Sequence, residues 1–472
     1  MNDRMGAGFL NDDFLLSGET ARALYHGVAA PAPLVDLHNH LSPADVAGDR
    51  VYDTLTDLWL EDDHYKWRAM RLAGFEERIV TGDADPWERF SAWAATVPRL
   101  LGNPLYVWSH LELRRVFGID LQLNPATARE IWEEANRQLP RWSAQALLSH
   151  FDVRLIATTD DPGDELAAHE VLAEQSGQVT MIPTFRPDGA HRLLDDAAGW
   201  NAWVDRLESV TKTPVTDLES MLEALTVSRR RFTQRGARAS DHGLERLPDR
   251  SRDPVLADAT VRRARAGSAA TPAERDVVLL EVVALAARLD ADDEAVLQLH
   301  LGASRDVSPR VLERVGHDAG GDAIGDERQA PGLVRFLGEL ERDVLPRTIL
   351  YNLNPADNAL FATTAATFSR PGVGAVVQWG PPWWFNDHEQ GMRRQLADLS
   401  QLGQLAGFVG MHTDSRSLLS MTRHELFRRV LCDAIGREVD EGRFPADLDW
   451  CSRVVRDVCF DNAVRYFGLT LA

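Results

Sequence analysis

The chain has 472 residues and a formal net charge of −21, with 44% hydrophobic and 26% charged residues. These values are ordinary for a globular protein, and the length fits either two or three domains or one α/β barrel with a large insertion. The excess of acidic residues argues against a nucleic-acid partner, because such proteins carry clustered Lys and Arg.

The N-terminal segment gives no sign of secretion. MNDRMGAGFLNDDFLL carries acidic residues where a signal peptide carries basic ones before a long apolar core. No apolar run approaches the roughly 20 residues that span a bilayer, so no membrane partner is expected. Cys432, Cys451 and Cys459 lack C-x-x-C spacing, which predicts reduced thiols. We therefore expect a cytoplasmic protein.

The first strand-like run, LVDLHNH at 34–40, ends in His38 and His40. Alternate residues of a strand point to the same side, so the two imidazoles face the same way. Neutral imidazole is the commonest metal ligand, and this pair suits a divalent ion. The alternative is a pair of strand-end histidines that are hydrogen-bonded to the backbone.

Residues 41–150 are too many for the single helix that a barrel needs after its first strand. They are rich in helix formers and tryptophan, as in WERFSAWAATVPRLL. We predict that they form a helical insertion that caps the barrel mouth. On this division, residues 1–40 form the N-terminal segment and first strand, and residues 151–472 form the rest of the barrel and the C-terminal helices.

Further β-rich runs alternate with helix-like stretches along the rest of the chain. One such helix is predicted to begin after Thr271, where Glu274 completes a capping box. Strands alternating with helices predict a parallel sheet, and about eight units predict a (β/α)8 TIM barrel. The further strand-like runs are 153–161, 179–188, 237–243, 295–302, 347–354, 374–380 and 408–415.

Polar residues stand at the ends of these predicted strands, which is where barrel enzymes place their catalytic groups. The first and last strands of a closed barrel are neighbours, so Asp414 can reach the same ion as His38 and His40. His300 is either a further ligand or a hydrogen-bonding partner of the substrate, and both alternatives stay open. The polar strand-end residues are His38, His40, Asp160, Asp161, Arg186, Asp241, His242, His300 and Asp414.

An H-x-H on a first strand with an aspartate on the eighth resembles the amidohydrolase superfamily of metal-dependent hydrolase-type barrels. Within it, several long strings resemble the uronate isomerase (glucuronate isomerase) family, in family order and over nearly the whole chain. The strings are DLHNHLSP at 36–43, DHYKWRAMR at 63–71, GNPLYVWSHLEL at 102–113, PTFRPD at 183–188, SDHGL at 240–244, WWFND at 383–387 and TDSRS at 413–417.

The resemblance implies an aldose–ketose isomerase that interconverts D-glucuronate with D-fructuronate and D-galacturonate with D-tagaturonate. It implies metal-assisted proton transfer through an enediolate, with one divalent ion, expected to be zinc. The ion would be held by His38, His40 and Asp414. The partner is then a small-molecule hexuronate. A homo-oligomer is also expected, since barrels of this kind often assemble.

A hexuronate carries a carboxylate, which arginine binds in a bidentate pair. Arg186, Arg305 and Arg416 all follow predicted strand ends, and arginines at the matching positions of the family belong to the active site. We expect Arg186 and Arg305 to bind the substrate, together with His300 and with Asp241, which orients substrate hydroxyls or a neighbouring arginine.

Isomerisation also needs groups that take and return a proton. Asp414 is a candidate proton acceptor. Tyr65, in HYKWR, resembles the family's tyrosine that shares the proton transfer. The catalytic set is therefore expected to be Asp414, Tyr65 and Arg416. The adjacent Trp383 and Trp384 either stack on the sugar or pack against the insertion, and we leave both outside the predicted site.

Two other functions fit parts of the pattern. A mononuclear metal-dependent hydrolase or deaminase acting on another small carboxylate would use the same ligands. A two-metal hydrolase commonly needs a carboxylated lysine at a strand end, and neither Lys66 nor Lys212 has that position. A non-catalytic sugar-acid-binding barrel would be expected to have lost some ligands or Asp414, all of which are kept here.

Overall fold

The computed structural model describes residues 8–175, 177, 179–193, 197–343 and 345–471, and its centre is a parallel β-sheet. The strands are β1 (Leu34–Asn39), β2 (Val153–Asp160), β3 (Thr180–Phe185), β4 (Ala239–Leu244), β5 (Val296–Leu301), β6 (Ala303–Ser304), β7 (Ala323–Ile324), β8 (Arg347–Asn352) and β9 (Val377–Trp379). Seven of them form one sheet in the order β1-β2-β3-β4-β5-β8-β9, while β6 and β7 form a short antiparallel pair.

Helices surround this sheet and follow most of its strands. The α-helices are α1 (Glu19–Leu24), α2 (Pro43–Ala47), α3 (Leu55–Leu60), α4 (His64–Leu72), α5 (Glu77–Val80), α6 (Pro86–Thr96), α7 (Pro104–Phe117), α8 (Ala128–Gln138), α9 (Ala144–His150), α10 (Ala167–Ala173), α11 (Ala197–Thr211), α12 (Leu218–Gln234), α13 (Pro254–Arg265), α14 (Pro272–Asp292), α15 (Pro309–Val315), α16 (Ala330–Arg342), α17 (Asn358–Thr367), α18 (Glu389–Leu402), α19 (Thr422–Asp440), α20 (Leu448–Arg456) and α21 (Asn462–Phe467). Single π-helical turns cover Tyr25–Ala29 and Asp457–Asp461, and 3₁₀ turns cover Val97–Arg99, Leu139–Arg141, Pro187–His191, Pro355–Asp357, Trp384–Asn386, Leu405–Gly407 and Leu418–Met421.

The strands are buried on both faces, as expected for a parallel sheet covered by helices. Every residue of β1 and of β5 is buried. The sheet runs in chain order and strands alternate with helices, so the predicted α/β barrel is confirmed. The predicted capping box is also present, since the backbone N–H of Thr271 donates to Glu274 Oε2 at 2.9 Å.

The predicted eighth strand, 408–415, differs from expectation because it forms no regular strand. It still lies along β1: the Asp414 N–H donates to the His38 carbonyl at 3.0 Å, and the His40 N–H donates to the Ser415 carbonyl at 2.9 Å. Gly410 and Asp414 both have positive φ values, of 84° and 47°. Such turns break the β ladder, so the segment contacts the first strand without extending the sheet.

Helices α2 to α9 fill the stretch between β1 and β2. Aromatic side chains pack inside this layer: the ring of Phe90 lies 6.2 Å from that of Trp59 and 5.0 Å from that of Trp132. Arg68 of α4 lies over the ring of Phe385, 4.6 Å from its centroid, in the loop after β9. These helices therefore contact the loops at the C-terminal ends of the strands. The domain boundaries at 40 and 150 stay a prediction.

Among the described helices, we find none that is both long and apolar enough to cross a bilayer.

Candidate active site

Two histidines and one aspartate meet where β1 ends. His38 Nε2 lies 3.2 Å from Asp414 Oδ1, and His40 Nε2 lies 3.3 Å from the same oxygen. The side chain of His38 is 2% exposed and that of His40 is 31% exposed. The group is thus buried on one side and open beside His40, where a cavity is lined by His40, Arg416 and residues of α2 and α3.

The backbone around Asp414 is fixed by the first strand. Asp36, fully buried in β1, accepts from the Thr413 N–H at 2.8 Å and from the Thr413 hydroxyl at 2.5 Å. Asp414 itself adopts the left-handed conformation, with φ at 47°, which is uncommon for a residue other than glycine. Residues held in such conformations cluster at functional sites, and here the conformation belongs to the residue that faces both histidines.

The donor set of His38, His40 and Asp414 fits a divalent cation. Their ligand atoms all lie within 4.8 Å of one another. Ligands about 2.0–2.1 Å from a tetrahedral ion lie about 3.3 Å apart, which matches the two measured N···O distances. His38 Nε2 faces Asp414, while its other ring nitrogen, Nδ1, lies 3.8 Å from Asp241 Oδ2, so Nε2 is the ring nitrogen placed to act as the ligand. The predicted ligands can therefore hold a metal ion.

Asp241 lies beside this group and is bound by three basic side chains. Its Oδ1 is 2.6 Å from His300 Nδ1, and its Oδ2 is 3.1 Å from Arg186 Nη1 and 3.8 Å from His38 Nδ1. Burial alone would raise the pKa of Asp241, but Arg186, His300 and His38 hold it below its usual value. Asp241 is thus a carboxylate that links the predicted arginine to both histidines.

A second buried group supports Arg186. Asp188 Oδ2 accepts from Arg186 Nε at 2.9 Å and from the Gly243 N–H at 3.0 Å. Its other oxygen lies 3.4 Å from His191 Nε2 and 3.6 Å from His242 Nδ1. Because Asp188 already neutralises Arg186, this group fixes the direction of the guanidinium. His242 thus lies against Asp188 and is not one of the predicted metal ligands.

Tyr65 of α4 is buried, and its hydroxyl has no hydrogen-bond partner among the residues that the structure describes. Its ring contacts that of His64 at 4.7 Å and that of Trp108 at 6.1 Å. Burial, with a further contribution from Asp414, raises the pKa of Tyr65 well above its usual value. The hydroxyl is therefore neutral at ordinary pH and available as a donor or an acceptor.

Arg305 and Arg416 converge on one acidic residue, Asp318, in the loop between β6 and β7. Arg305 Nη1 lies 3.4 Å from Asp318 Oδ1 and 3.1 Å from Asp322 Oδ2, and Arg416 Nη1 donates to the Asp318 carbonyl at 3.2 Å. Burial raises the pKa of Asp318, but Arg305 and Arg416, with Arg192 and Arg186 further away, lower it overall. Two guanidinium groups thus lie around Asp318, where the second carboxylate, Asp322, also pairs with Arg305.

Aromatic rings cover His300 on two sides. Tyr351 stacks on it with ring centroids 4.1 Å apart, and Trp383 meets it edge-on at 4.7 Å. Trp384 instead contacts His64 of α4 at 5.7 Å. Trp384 therefore packs against the helices between β1 and β2, whereas Trp383 borders the site, although the sequence placed neither of them in it.

Sequence reasoning also missed several charged residues around the site. His64 and Asp387 lie within strings quoted above but follow no strand directly, so the strand-end criterion passed over them. Asp188 ends the predicted run 179–188, from which only Arg186 was chosen. Arg423 lies in the first turn of α19 and carries no such signal. Neither lysine lies at a strand end: Lys66 is buried in α4 against Asp63, 2.5 Å away, and Lys212 follows α11.

Comparison with known proteins gives one consistent family. The sequence model for glucuronate isomerase matches residues 6–467. A uronate isomerase of Shouchella clausii is 43% identical over 467 residues, which cover 98% of each chain. The crystal structure of a uronate isomerase from Thermotoga maritima is 34% identical with a TM-score of 0.91, covering 97% of this chain and 99% of that one. A glucuronate isomerase structure from Caulobacter crescentus is 25% identical with a TM-score of 0.90, covering 97% of both chains.

Proposed function

This chain belongs to the uronate isomerase family and is an isomerase, and we propose that it interconverts aldose and ketose forms of hexuronates by proton transfer at the site described above. The substrates are D-glucuronate, giving D-fructuronate, and D-galacturonate, giving D-tagaturonate. The observation that carries this proposal is the meeting of His38, His40 and Asp414, with Arg416 lining the same cavity as His40, in a chain that the family model matches over residues 6–467.

Three arginines are proposed to bind the substrate. Arg305 and Arg416 would bind its carboxylate, since Arg305 already pairs with the Asp318 carboxylate and Arg416 lines the cavity beside His40. Arg186 would bind nearer to the metal ligands, where Asp188 fixes its orientation. Asp241 and His300 would hydrogen-bond the substrate hydroxyls. The guanidinium fork favours planar, bidentate partners, so the proposed site selects a sugar acid over a neutral sugar.

One divalent ion, which we propose to be zinc, would be held by His38, His40 and Asp414. When bound, such an ion supplies positive charge that stabilises negative charge developing on substrate oxygens. His40 is the more exposed of the two histidines, so the open side of the ligand set faces the cavity. The donor set of two imidazoles and one carboxylate is one that zinc commonly accepts.

Asp414 and Tyr65 are proposed to move the protons, with Arg416 beside them. Asp414 Oδ1 lies between the two histidines, which leaves Oδ2 to accept a proton from a substrate hydroxyl. The unbonded Tyr65 hydroxyl would exchange a proton with the substrate during conversion of aldose to ketose. A proton that passes through these groups is expected to exchange with solvent before it returns to carbon.

The decisive experiment is proton NMR of D-glucuronate, and separately D-galacturonate, with purified zinc-loaded protein in deuterated water. We expect each aldose to convert to its 2-keto acid, with solvent deuterium incorporated. The Asp414→Asn and Tyr65→Phe variants should lose most of this conversion, while the surface variant Asp249→Asn should keep it. If neither sugar changes, the proposed function is wrong, and hydrolysis or deamination of another small carboxylate becomes the function to test.

We further propose that the enzyme is cytoplasmic and forms a homo-oligomer. The unpaired state of Cys432, Cys451 and Cys459 supports a reducing compartment. The exposed Leu72 and Leu101, 82% and 84% accessible, are candidates for a subunit contact. Light scattering after size-exclusion chromatography tests the oligomer directly, and a mass of one chain would exclude it.

A further inference from the structure

Arg423 is a fully buried cation at an unfavourable place. It lies in the first turn of α19, a helix of 19 residues, and it is 0% exposed. The N-terminal end of a helix carries partial positive charge and favours anions. A buried charge there also loses its hydration, so nearby groups must offset that cost by pairing or hydrogen-bonding with it. The contacts of Arg423 therefore show which groups stabilise its charge.

Two of these contacts are polar and join the helix to the site. Arg423 Nη1 lies 3.2 Å from Asp387 Oδ2, in the loop after β9, and donates to the Thr413 carbonyl at 3.1 Å. Asp387 is 1% exposed. Thr413 directly precedes Asp414, so this hydrogen bond fixes the guanidinium next to the segment that carries the proposed metal ligand and proton acceptor.

The other contacts are with aromatic rings. The guanidinium carbon of Arg423 lies 3.9 Å from the ring centroid of Trp108 and 5.1 Å from that of Tyr65. Both rings belong to the helices between β1 and β2, α7 and α4. A desolvated cation over an aromatic face is attracted to it. Since the Tyr65 hydroxyl has no hydrogen bond within the described part of the chain, the position of its ring depends on packing of this kind.

We propose that Arg423 is a positioning residue of the isomerase, which holds the Tyr65 ring in place and stabilises the phenolate left when the hydroxyl proton moves to the substrate. The proton is regained from the substrate in the following step, so the tyrosine is restored in each turnover. This inference rests on the proposed function, but it concerns a residue that touches neither the proposed metal ligands' side chains nor the substrate-binding arginines.

The test is a double-mutant cycle in kcat, measured with D-glucuronate. Arg423→Met removes the charge and keeps an unbranched side chain. We expect kcat to fall by a factor on the order of 100, with KM changed by less than about threefold. In the Tyr65→Phe background the same substitution should lower kcat by less than about twofold, since residues that act through one another are not additive.

Arg429→Met is the matched control, because Arg429 lies on the same helix, is 2% exposed, and stacks on the rings of Phe14 and Tyr25 at 4.1 Å each. It should lower the melting temperature to a similar degree but leave kcat and KM unchanged.

Arg423→Lys retains the charge and should restore part of the lost kcat. Asp387→Asn, which keeps the shape of the partner, should reduce kcat less than Arg423→Met.

Additive effects of Arg423→Met and Tyr65→Phe on kcat would overturn the proposal, as would an unchanged kcat in Arg423→Met. If Arg423→Met does not fold, the cycle is made with Arg423→Lys, whose smaller effect must likewise vanish in the Tyr65→Phe background. Failure of the proposed function is a separate outcome, since it would appear as no conversion of either uronate by the unaltered protein.

Discussion

Arg305 illustrates how a single side chain is prepared for a carboxylate. Its guanidinium lies against Asp318 and Asp322, and its Cζ is 4.9 Å from the ring centroid of Trp384. Asp318 and Asp322 thus already contact the guanidinium that we propose to bind the substrate's carboxylate. The N–H groups of the Arg305 guanidinium contact the two carboxylates and its flat face lies over Trp384. A lysine ammonium has neither the forked set of donors nor a flat face.

We therefore expect Arg305→Lys to raise KM for D-glucuronate about tenfold or more, with kcat changed by less than about threefold. A tenfold change corresponds to about 1.4 kcal/mol, within the range of a charge-assisted pair. Steady-state kinetics measures both constants. Arg335→Lys, a surface change at a pair with Asp249 that is about half exposed on both sides, is the control. An unchanged KM in Arg305→Lys would remove Arg305 from the proposed carboxylate site.

At the scale of elements, the end of β9 determines how the rings of the site pack. Gly380 follows this strand, and a Cβ added there would lie 2.5 Å from two ring atoms of Tyr351. Tyr351, in β8, stacks on His300 with an angle of 1° between the rings. The close approach of Gly380, after β9, to Tyr351, in β8, thus sets the position of His300, a proposed substrate-binding residue.

Gly380→Ala should therefore destabilise the protein by about 1–3 kcal/mol, the usual cost of overpacking, and should lower kcat/KM by displacing Tyr351 and His300. Thermal unfolding and steady-state kinetics measure the two effects. Gly338→Ala is the matched control, since it lies in α16 with open space around the added carbon. Alanine is favoured in helices by roughly 0.5–1 kcal/mol, so this control should gain stability and keep its activity.

The elements also explain which features of the fold and the site could be predicted. The strands of the parallel sheet were found because each is a short apolar run ending in polar residues, and the α14 cap because Thr271 and Glu274 form a local pattern. The irregular 408–415 segment was not foreseen, since its positive φ values at Gly410 and Asp414 arise from contacts with β1.

The site divides in the same way. His38, His40, Asp241, His300 and Asp414 meet as expected, because strand ends converge at one edge of a parallel sheet. Residues that enter from helices or loops lack this regularity. Asp318 reaches Arg305 from the loop between β6 and β7, and Arg423 reaches Tyr65 from α19. Only the three-dimensional packing reveals these partners.

For the molecule as a whole, buried neutral histidines make stability depend on pH. Burial lowers the pKa of His64 and His412 to about 3 each and that of His169 to about 4. In the unfolded chain these groups titrate near 6.5. Below pH 6.5 the unfolded state binds protons that the folded state does not, so stability falls as the pH decreases towards these lowered values.

Between pH 6.5 and pH 4.5 we expect these histidines to lower the melting temperature of the metal-free protein, against the opposite contribution of Asp160 and Asp387, whose pKa values burial raises to about 7. The free energy of unfolding should decrease by up to about 1.4 kcal/mol per pH unit for each of these histidines. His169→Gln, away from the proposed ligands and bonded to Thr158, should make the slope shallower. An unchanged pH dependence of the melting temperature in His169→Gln would contradict the expectation.

Removal of the metal should increase local unfolding where β1 meets the 408–415 segment. The proposed ligands connect β1 to the 408–415 segment, where few backbone hydrogen bonds make the connection. A ligand at 100 times its dissociation constant stabilises the folded state by about 2.7 kcal/mol. After treatment with a chelator, hydrogen–deuterium exchange should accelerate in 34–41 and 408–417, with β4 and β5 little changed. Uniform acceleration across the sheet would argue against a metal at this position.

The hydrogen-bonded pair of His38 and Asp414 joins residues that are 376 positions apart. A ribosome has therefore made nearly the whole polypeptide before the second partner exists, and a nascent chain that already displays His38 and His40 cannot complete the ligand set. Activity must then appear abruptly at the end of synthesis, and messages cut short before codon 414 should yield chains with no isomerase activity.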